Sequence, residues 1–209
     1  MNKAALQATC LKILLKDKAI LTNDHFIYTS GKHGSYYVNK DFLYLHPKDV
    51  SKLCRFIANH FRHKRIDIVI APAVGGVSLC QWTAYHLSKL KGKEILAAYA
   101  EKKNEQFKFK RGYDSQIKDK FVLVVDDVMT TGGSARKVIK AVKSVGGKIV
   151  GLAILCNRGD VNLKQAGNPP ELFSLIKLNL PSWNKKKCPL CAKGIPINKN
   201  YGRGSNLSS

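Results

Sequence analysis

The sequence has few acidic residues, no long apolar run and no dense cysteine framework. Only 14 Asp and Glu accompany 36 Lys and Arg, which gives a net charge of +22. The apolar stretch at residues 10–16 is interrupted by Lys12 and Lys16, so it is too short for a signal sequence or a membrane span. The six cysteines are scattered, and four lie in apolar runs, as buried free thiols do. We therefore expect a cytoplasmic protein with no membrane partner.

The excess of basic residues favours anionic partners, whether nucleic acid, a membrane surface or a phosphorylated metabolite. Lysines on solvated faces would give the same net charge without any ligand, so the charge alone identifies no partner. The length of 209 residues fits one α/β domain with an appendage, and the apolar content of 44% is ordinary for a globular protein. We see no internal repeat.

One stretch, FVLVVDDVMTTGGS at residues 121–134, combines four features of a ligand site. Five apolar residues predict a buried strand, Asp126 and Asp127 follow where it should end, and a glycine-rich turn leads into a helix. A helix N-terminus preceded by glycines offers unpaired amide groups that bind phosphate. Carboxylates repel phosphate but accept hydrogen bonds from vicinal hydroxyls or bind a divalent cation. The spacing therefore predicts a site for a ribose 5-phosphate.

Apolar strands alternate with amphipathic helices along most of the chain, which predicts a parallel sheet with right-handed crossovers. We expect strands at 66–71, 94–100, 121–125, 148–156 and 172–178, and helices at 4–21, 47–62, 77–89 and 134–145. Residues 26–42 alternate aromatic and polar side chains around glycines, so they should form short strands lying over the main domain. Ligands bind at the carboxyl ends of parallel strands. The loops expected at that rim are 72–76, 101–112, 126–134 and 157–160.

The motif VLVVDDVMTTGGS resembles the phosphoribosyl-pyrophosphate (PRPP) signature of the type I phosphoribosyltransferases. The resemblance covers roughly residues 20–180. It implies a five-stranded parallel sheet flanked by helices with a small N-terminal hood, usually as a homodimer. We divide the chain into an N-terminal helix and hood (1–45), a PRPP-binding α/β core (46–180) and a basic C-terminal tail (181–209). The family resemblance also implies that Mg²⁺ is held mainly by PRPP and not by a cage of protein ligands.

Within that family the two acids hold the ribose hydroxyls, and the loop after them holds the 5-phosphate. These roles carry over to Asp126 and Asp127, and to Thr130, Thr131, Gly132, Gly133 and Ser134. The loop with Val74, Gly75 and Gly76 resembles the pyrophosphate loop, and the basic segment 101–112 lies where the family has a mobile catalytic loop. From that segment we expect Lys102, Lys103 and Arg111 to contact pyrophosphate, with Lys103 catalytic beside Asp126 and Asp127. The choice among its basic residues stays open.

The acceptor is expected to be orotate, because residues 26–47 resemble the hood of orotate phosphoribosyltransferases. Orotate is a carboxylate, and an arginine fork matches it. The residues expected to contact it are Tyr36, Tyr37, Lys40, Thr130 and Arg158. Tyr36 and Tyr37 point to opposite faces if extended, so at least one should pack in the core, and Arg158 has a rim salt bridge as its alternative. A purine phosphoribosyltransferase and a non-catalytic PRPP-sensing regulator are the alternative functions.

The C-terminal segment has no acidic residue after Glu171 and contains Cys188-Pro-Leu-Cys191. This spacing is that of a zinc knuckle, but a structural zinc site needs four ligands and no second pair lies nearby. A zinc ion shared by two subunits is one interpretation, and a packed or exposed dithiol is the one we favour. The tail lacks interleaved aromatics or a recognised module, so we do not expect a nucleic-acid partner. Residues from about Tyr201 onward should be disordered.

Overall fold

The computed structural model describes residues 2–28, 30–178, 180–202 and 204. Its strands are β1 (Ile20–Leu21), β2 (Phe26–Ile27), β3 (His33–Gly34), β4 (Tyr37–Val38), β5 (Ile68–Pro72), β6 (Leu96–Lys103), β7 (Gln106–Lys108), β8 (Phe121–Met129), β9 (Lys148–Asn157) and β10 (Leu172–Lys177). Its α-helices are α1 (Lys3–Lys16), α2 (Lys40–Tyr44), α3 (Pro47–Phe61), α4 (Val77–Lys91), α5 (Tyr113–Ile117), α6 (Gly133–Ser144) and α7 (Pro189–Ala192).

The central sheet has the strand order β10-β9-β8-β5-β6-β7. The first five strands pair in parallel, and β7 joins the edge as an antiparallel strand paired with β6. The predicted five-stranded parallel sheet flanked by helices is therefore confirmed, with one short strand added. Strand β8 lies in the middle, so its carboxyl end is surrounded by the ends of its neighbours.

Both faces of the sheet are covered, which explains the unbroken apolar runs in the sequence. On β8, Leu123 and Val125 pack in the cluster that includes α1, α3 and α4, while Val122 and Val124 pack in the cluster that includes α6. Successive side chains of a strand point to opposite faces, so a strand covered on both sides needs apolar residues at every position.

The structure corrects the predicted end of the central strand. Strand β8 continues through both acids to Met129, which pairs with Asn157 of β9. The apolar run stops at Val125, but backbone pairing with β9 keeps the next four residues extended. Asp126 and Asp127 are thus held by the sheet itself, and their direction is fixed by the ladder.

The basic segment 101–112, expected as a loop at the rim, begins as a hairpin between β6 and β7. Its turn residues, Asn104 and Glu105, have φ of 47° and 62°. Two consecutive left-handed residues form the type I′ turn that matches the twist of a two-residue hairpin.

The hood comprises β1 to β4 and α2, residues 20–44. Strand β1 pairs with β4 and β2 pairs with β3, both antiparallel. The predicted short strands are present, but residues 40–44 form a helix that the alternating pattern did not predict. Among the residues described, no helix is long and apolar enough to cross a membrane.

The C-terminal segment returns to the hood. Trp183 forms a β-bridge with His33, the amide of Asn198 donates to the carbonyl of His25 at 2.8 Å, and the rings of Tyr201 and Tyr37 lie 5.7 Å apart. The disorder predicted from about Tyr201 concerns mainly residues that lie outside those described, Arg203 and 205–209.

Candidate active site

The centre of the candidate site is the carboxylate pair of Asp126 and Asp127. Both side chains are buried, with relative exposures of 6% and 5%. Each carboxylate accepts a backbone hydrogen bond from the next residue: the amide of Asp127 donates to Asp126 Oδ1 at 2.8 Å, and that of Val128 to Asp127 Oδ1 at 2.6 Å. These bonds fix two adjacent acids in defined directions at the end of β8.

The hood supplies the counter-charge to this pair. Lys40 Nζ lies 2.6 Å from Asp127 Oδ2, and the hydroxyl of Tyr44 lies 3.4 Å from the same oxygen and donates to the carbonyl of Gly75. Lys40 and Tyr44 are one helical turn apart on α2, so the helix presents both to the core. Sequence reasoning missed Tyr44, because the alternating pattern of residues 26–42 gives no sign of the helix that places it one turn from Lys40.

Gly75 makes room for this contact. A Cβ atom at Gly75 would lie 2.2 Å from Lys40 Nζ and 2.3 Å from Asp127 Oδ2, closer than non-bonded atoms approach. The loop after β5 therefore reaches the carboxylates only because residue 75 has no side chain. Val74, next to it, is 86% exposed, so the predicted pyrophosphate loop presents its tip to solvent.

Burial sets the proton affinity of the site. Burial first, and then the adjacent charge of Asp127, raises the pKa of Asp126 from 3.8 to about 8. Burial lowers the pKa of Lys40, but the charge of Asp127 and the hydrogen bond to it outweigh burial, so this pKa is above its ordinary value. In the free site, Lys40 thus lies against Asp127, beside a carboxyl group, that of Asp126, which holds its proton more tightly than an exposed aspartate does.

The glycine-rich turn follows directly and opens helix α6. Gly132 has φ of 75°, and a Cβ there would lie 2.7 Å from the carbonyl oxygen of Gln165. Residue 132 has no side chain that could cap the helix, and the Gly133 amide has only a long hydrogen bond, 3.4 Å, to Thr131 Oγ1, so a phosphate could bind at the start of α6. Thr130, Thr131 and Ser134 are exposed and Gly133 is half-buried. The predicted phosphate loop is therefore open to solvent beside the carboxylates.

Arg158 lies at the same rim, beyond β9. Its amide donates to the carbonyl of Met129 at 2.9 Å, which joins its loop to the end of β8. Its guanidinium lies 3.8 Å from the ring centre of Tyr28, a buried hood residue whose hydroxyl donates to the carbonyl of Tyr36 at 2.6 Å. The predicted alternative for Arg158 was a salt bridge, whereas the contact recorded is a cation–π interaction that orients the guanidinium. Sequence reasoning missed Tyr28.

The two neighbouring tyrosines of the hood have different surroundings. Tyr37 packs between aromatic rings, 5.4 Å from Phe26 and 5.7 Å from Tyr201. Tyr36 contributes its carbonyl to Tyr28. Tyr37 is therefore the packing residue of the pair, while Tyr36 precedes β4, and its part in binding a ligand stays a prediction.

The basic hairpin is held by its own ion pairs. Lys102 lies 2.6 Å from Glu105, which also contacts Lys137 of α6 at 2.9 Å. Arg111 lies 4.0 Å from Glu101, and Lys103 is exposed beside the turn. Within the described residues, the contacts of Lys102 and Arg111 are to these glutamates and not to Asp126 or Asp127. Their part in binding, and that of Lys103, stays a prediction.

Comparison with known proteins identifies the family. The protein-family model described as the phosphoribosyl transferase domain matches residues 41–188. This range contains β5, β8, the glycine-rich turn and Arg158. The chain belongs to the phosphoribosyl transferase family. It is 37% identical over 184 residues to the orotate phosphoribosyltransferase of Caldanaerobacter subterraneus subsp. tengcongensis, covering 88% of this chain and 92% of that protein. It is 38% identical over 192 residues to that of Caldicellulosiruptor saccharolyticus, covering 91% and 94%.

Solved structures agree on the phosphoribosyltransferase fold. Orotate phosphoribosyltransferase from Aeropyrum pernix superposes with a TM-score of 0.62 at 26% identity, covering 80% of this chain and 92% of that one. The Mycobacterium tuberculosis H37Rv enzyme superposes with a TM-score of 0.63 at 21% identity, covering 83% and 96%. At that lower identity the similarity shows the fold alone.

Asp126→Asn should stabilise the free protein most at alkaline pH. Because the folded-state pKa of about 8 lies above the ordinary 3.8, the folded protein binds this proton more tightly, and Asp126 lowers the free energy of unfolding as the pH rises from about 4 to about 8. Asparagine cannot ionise, yet it keeps an oxygen for the Asp127 amide. The melting temperature of the variant relative to the parent protein should therefore increase between about pH 6 and about pH 9.

Asp119→Asn is the matched control, because this carboxylate is exposed and lies at the opposite end of β8. Its effect on the melting temperature should not follow the same alkaline trend. A difference between Asp126→Asn and the parent protein that stays constant with pH would contradict a raised pKa at Asp126.

Proposed function

We propose that the protein is an orotate phosphoribosyltransferase, which transfers the ribose 5-phosphate of PRPP to orotate and releases pyrophosphate. The proposal rests on three features that lie together at one rim of the sheet. They are a buried carboxylate pair, an open glycine-rich turn and an arginine oriented by the hood. The two relatives at 37–38% identity align over most of both chains, and both are named orotate phosphoribosyltransferase.

PRPP fits the rim through its three parts. The amides at the start of α6 and the hydroxyls around them suit the 5-phosphate, and Asp126 and Asp127 accept hydrogen bonds from the ribose hydroxyls. The loop with Val74, Gly75 and Gly76 lies against Asp127 through the Lys40 contact, which suits it to the pyrophosphate at C1. When ribose hydroxyls take over Asp127, Lys40 is released from its ion pair and becomes free to meet an anionic group of either substrate.

Orotate is proposed to bind between the hood and the end of β9. The guanidinium of Arg158, held on Tyr28 at 3.8 Å, is a planar donor for the orotate carboxylate. Tyr36, Lys40 and Thr130 complete the proposed acceptor site, while Tyr37 supports it from the aromatic packing of the hood. A purine has no carboxylate and would leave the Arg158 guanidinium without an anionic partner.

The reaction forms the bond between C1 of the ribose and N1 of orotate and breaks the bond between C1 and the pyrophosphate oxygen, which leaves with the electron pair. Positive charge develops on the ribose ring as the bond loosens. Among the described residues we assign no general base to orotate N1, whose proton passes to water or to the departing pyrophosphate, so catalysis is by positioning and charge stabilisation. Closure of the basic hairpin, with Lys102, Lys103 and Arg111, would exclude water and stabilise the leaving pyrophosphate.

Mg²⁺ is the proposed cofactor. Asp126 and Asp127 are oxygen donors of the type that Mg²⁺ prefers, but Asp127 is paired with Lys40, so the carboxylates would supplement oxygens from PRPP. When bound, the ion would neutralise pyrophosphate charge.

We also propose a cytoplasmic homodimer. Cys10, Cys54, Cys80 and Cys156 are buried free thiols, which suits a reducing compartment. The dimer is what the family resemblance implies, and light scattering on the purified protein measures it.

The acceptor is tested by incubating the enzyme with PRPP and Mg²⁺ and with orotate, adenine, guanine or xanthine in parallel. Of the four bases, we expect only orotate to give pyrophosphate release and a nucleotide product. Turnover of a purine would support the purine alternative, and binding of PRPP without turnover of any base would support the regulator.

Asp127→Asn should abolish turnover while the fold stays intact. The amide keeps the volume but loses the charge that pairs with Lys40 and accepts from the ribose, so we expect kcat to fall at least about 100-fold, the scale for losing one preorganised polar contact. Steady-state kinetics and circular dichroism measure this, with Asp119→Asn as the control that retains activity. Unchanged kinetics would contradict the assigned role.

Arg158→Ala should raise the orotate KM far more than the PRPP KM. Losing a hydrogen bond between charged groups costs about 1.5–3 kcal/mol, which corresponds to about 10–100-fold in KM. Arg65→Ala is the matched control, because the Arg65 guanidinium also lies over an aromatic ring, 4.2 Å from the centre of Phe121 at the far end of β8. An equal rise in both KM values would place Arg158 outside the acceptor site.

A further inference from the structure

The CxxC motif meets two histidines of the hood. Cys188 Sγ and Cys191 Sγ each lie 3.7 Å from His25 Nε2, and Cys191 Sγ lies 3.4 Å from His33 Nδ1. One ligand atom from each of the four residues lies within 4.8 Å of all the others. The second pair of ligands that the sequence around the CxxC lacks is thus provided by residues far away along the chain.

We propose that His25, His33, Cys188 and Cys191 bind one zinc ion per chain, and that this ion joins the C-terminal segment to the hood. Two thiolates and two imidazoles are a standard ligand set for structural zinc. With Zn–S bonds of about 2.3 Å and Zn–N bonds of about 2.0–2.1 Å, a tetrahedral site separates sulfur from nitrogen by about 3.6 Å. The three sulfur–nitrogen distances given above, 3.4 to 3.7 Å, match this separation.

The surroundings favour a metal-binding form of His25. Its Nδ1 lies 2.8 Å from the carbonyl oxygen of Ile195. Because a carbonyl only accepts, Nδ1 must carry the proton, and Nε2 then directs its lone pair at the two cysteines and His33. A backbone carbonyl that fixes the outer nitrogen of a histidine is the usual support of a zinc ligand.

The cluster is also shielded from water. His25, His33 and Cys188 are exposed by only 1%, 2% and 3%, and Cys191 is half-buried. Zn²⁺ with two thiolates and two neutral imidazoles carries no net charge, so it can be buried at little electrostatic cost. Four ligands from the protein leave no open position for a substrate, which makes this a structural site and not a catalytic one.

Without a metal, the same atoms would be held by hydrogen bonds, since His25 Nε2 and His33 Nδ1 lie 2.8 Å apart. A tetrahedral ion would hold two nitrogens about 3.3 Å apart, so the imidazoles would separate slightly on binding. The metal-free dithiol is therefore the state against which the zinc site has to be tested.

The site is tested by measuring the metal content of the untagged full-length protein. The protein is purified without chelator, exposed to Zn²⁺ under reducing conditions and then desalted. We expect one zinc per chain by plasma mass spectrometry. Cobalt substitution should give the visible absorption and sulfur-to-metal charge-transfer bands of a tetrahedral thiolate site. No zinc retained would overturn the proposal in favour of the dithiol, and one zinc per two chains would overturn it in favour of a shared metal.

Variants assign the ligands. Cys188→Ser, Cys191→Ser, His25→Ala and His33→Ala should each lose bound zinc or weaken its binding at least about 10-fold. Cys10→Ser and His63→Ala, a buried cysteine and an exposed histidine elsewhere in the chain, should keep one zinc. If a ligand variant fails to fold, the cobalt spectrum of the parent protein still decides. Retention of full zinc by the Cys191→Ser variant would overturn the assignment.

The zinc should also support the acceptor side of the rim, a consequence that rests on the proposed function. Tyr28, which orients Arg158, lies between the two histidine ligands in the chain. Removing zinc should therefore raise the orotate KM more than the PRPP KM, and returning zinc should reverse it. Zinc content is measured without any substrate, so a failed assignment of the activity would leave the metal result standing, and equal KM changes would contradict only this coupling.

Discussion

Two carboxylates next to each other at the end of a buried strand are the constraint around which the rest of the site is built. They lie side by side and have lost most of their hydration, which raises the pKa of Asp126, and Asp127 lies against the ammonium group of Lys40. Strand β8 fixes their positions by pairing with β9 beyond the apolar run. Every other part of the rim either neutralises these acids, makes space for them or extends the surface that they begin.

The same electrostatic need connects the hood to the core. Lys40 and Tyr44 of α2 approach Asp127, and Gly75 of the core leaves the space that they occupy. On the other side of the rim, Arg158 of the core lies over Tyr28 of the hood. The hood is small and its strands are two residues long, so these contacts and the C-terminal segment hold it in place. Substrates that compete for Asp127 or Arg158 would act directly on this connection.

Sequence reasoning predicted the parts of the protein that depend on local pattern. The sheet covered on both faces produces apolar runs, and the loop with two acids, hydroxyls and glycines resembles the signature of the family to which the chain belongs. The extent of β8 was not predicted from the sequence. The strand was recognised by its apolar run, and a polar residue such as Asp126, which pairs with Ile154, does not continue that run. Nor did sequence reasoning find Tyr44 and Tyr28, whose importance comes from contacts with residues far along the chain, Asp127 and Arg158.

The zinc-knuckle spacing illustrates the same limit. The CxxC was recognised, but its proposed partners are separated from it by most of the chain and stand eight residues apart in the hood. No spacing rule covers ligands brought together by a β-bridge such as that between His33 and Trp183. Only the three-dimensional structure places them within reach of one another.

The return of the C-terminal segment to the hood also sets an order for biogenesis. His25 and Cys188 are 163 residues apart, and synthesis begins at the N-terminus, so the hood strands leave the ribosome long before the segment that covers them. The α/β core between them can form first, since its strands pair with one another. Until residues 180–202 are released, Tyr37 and the two histidines lack their neighbours from that segment. The hood is thus completed only after the α/β core has been synthesised.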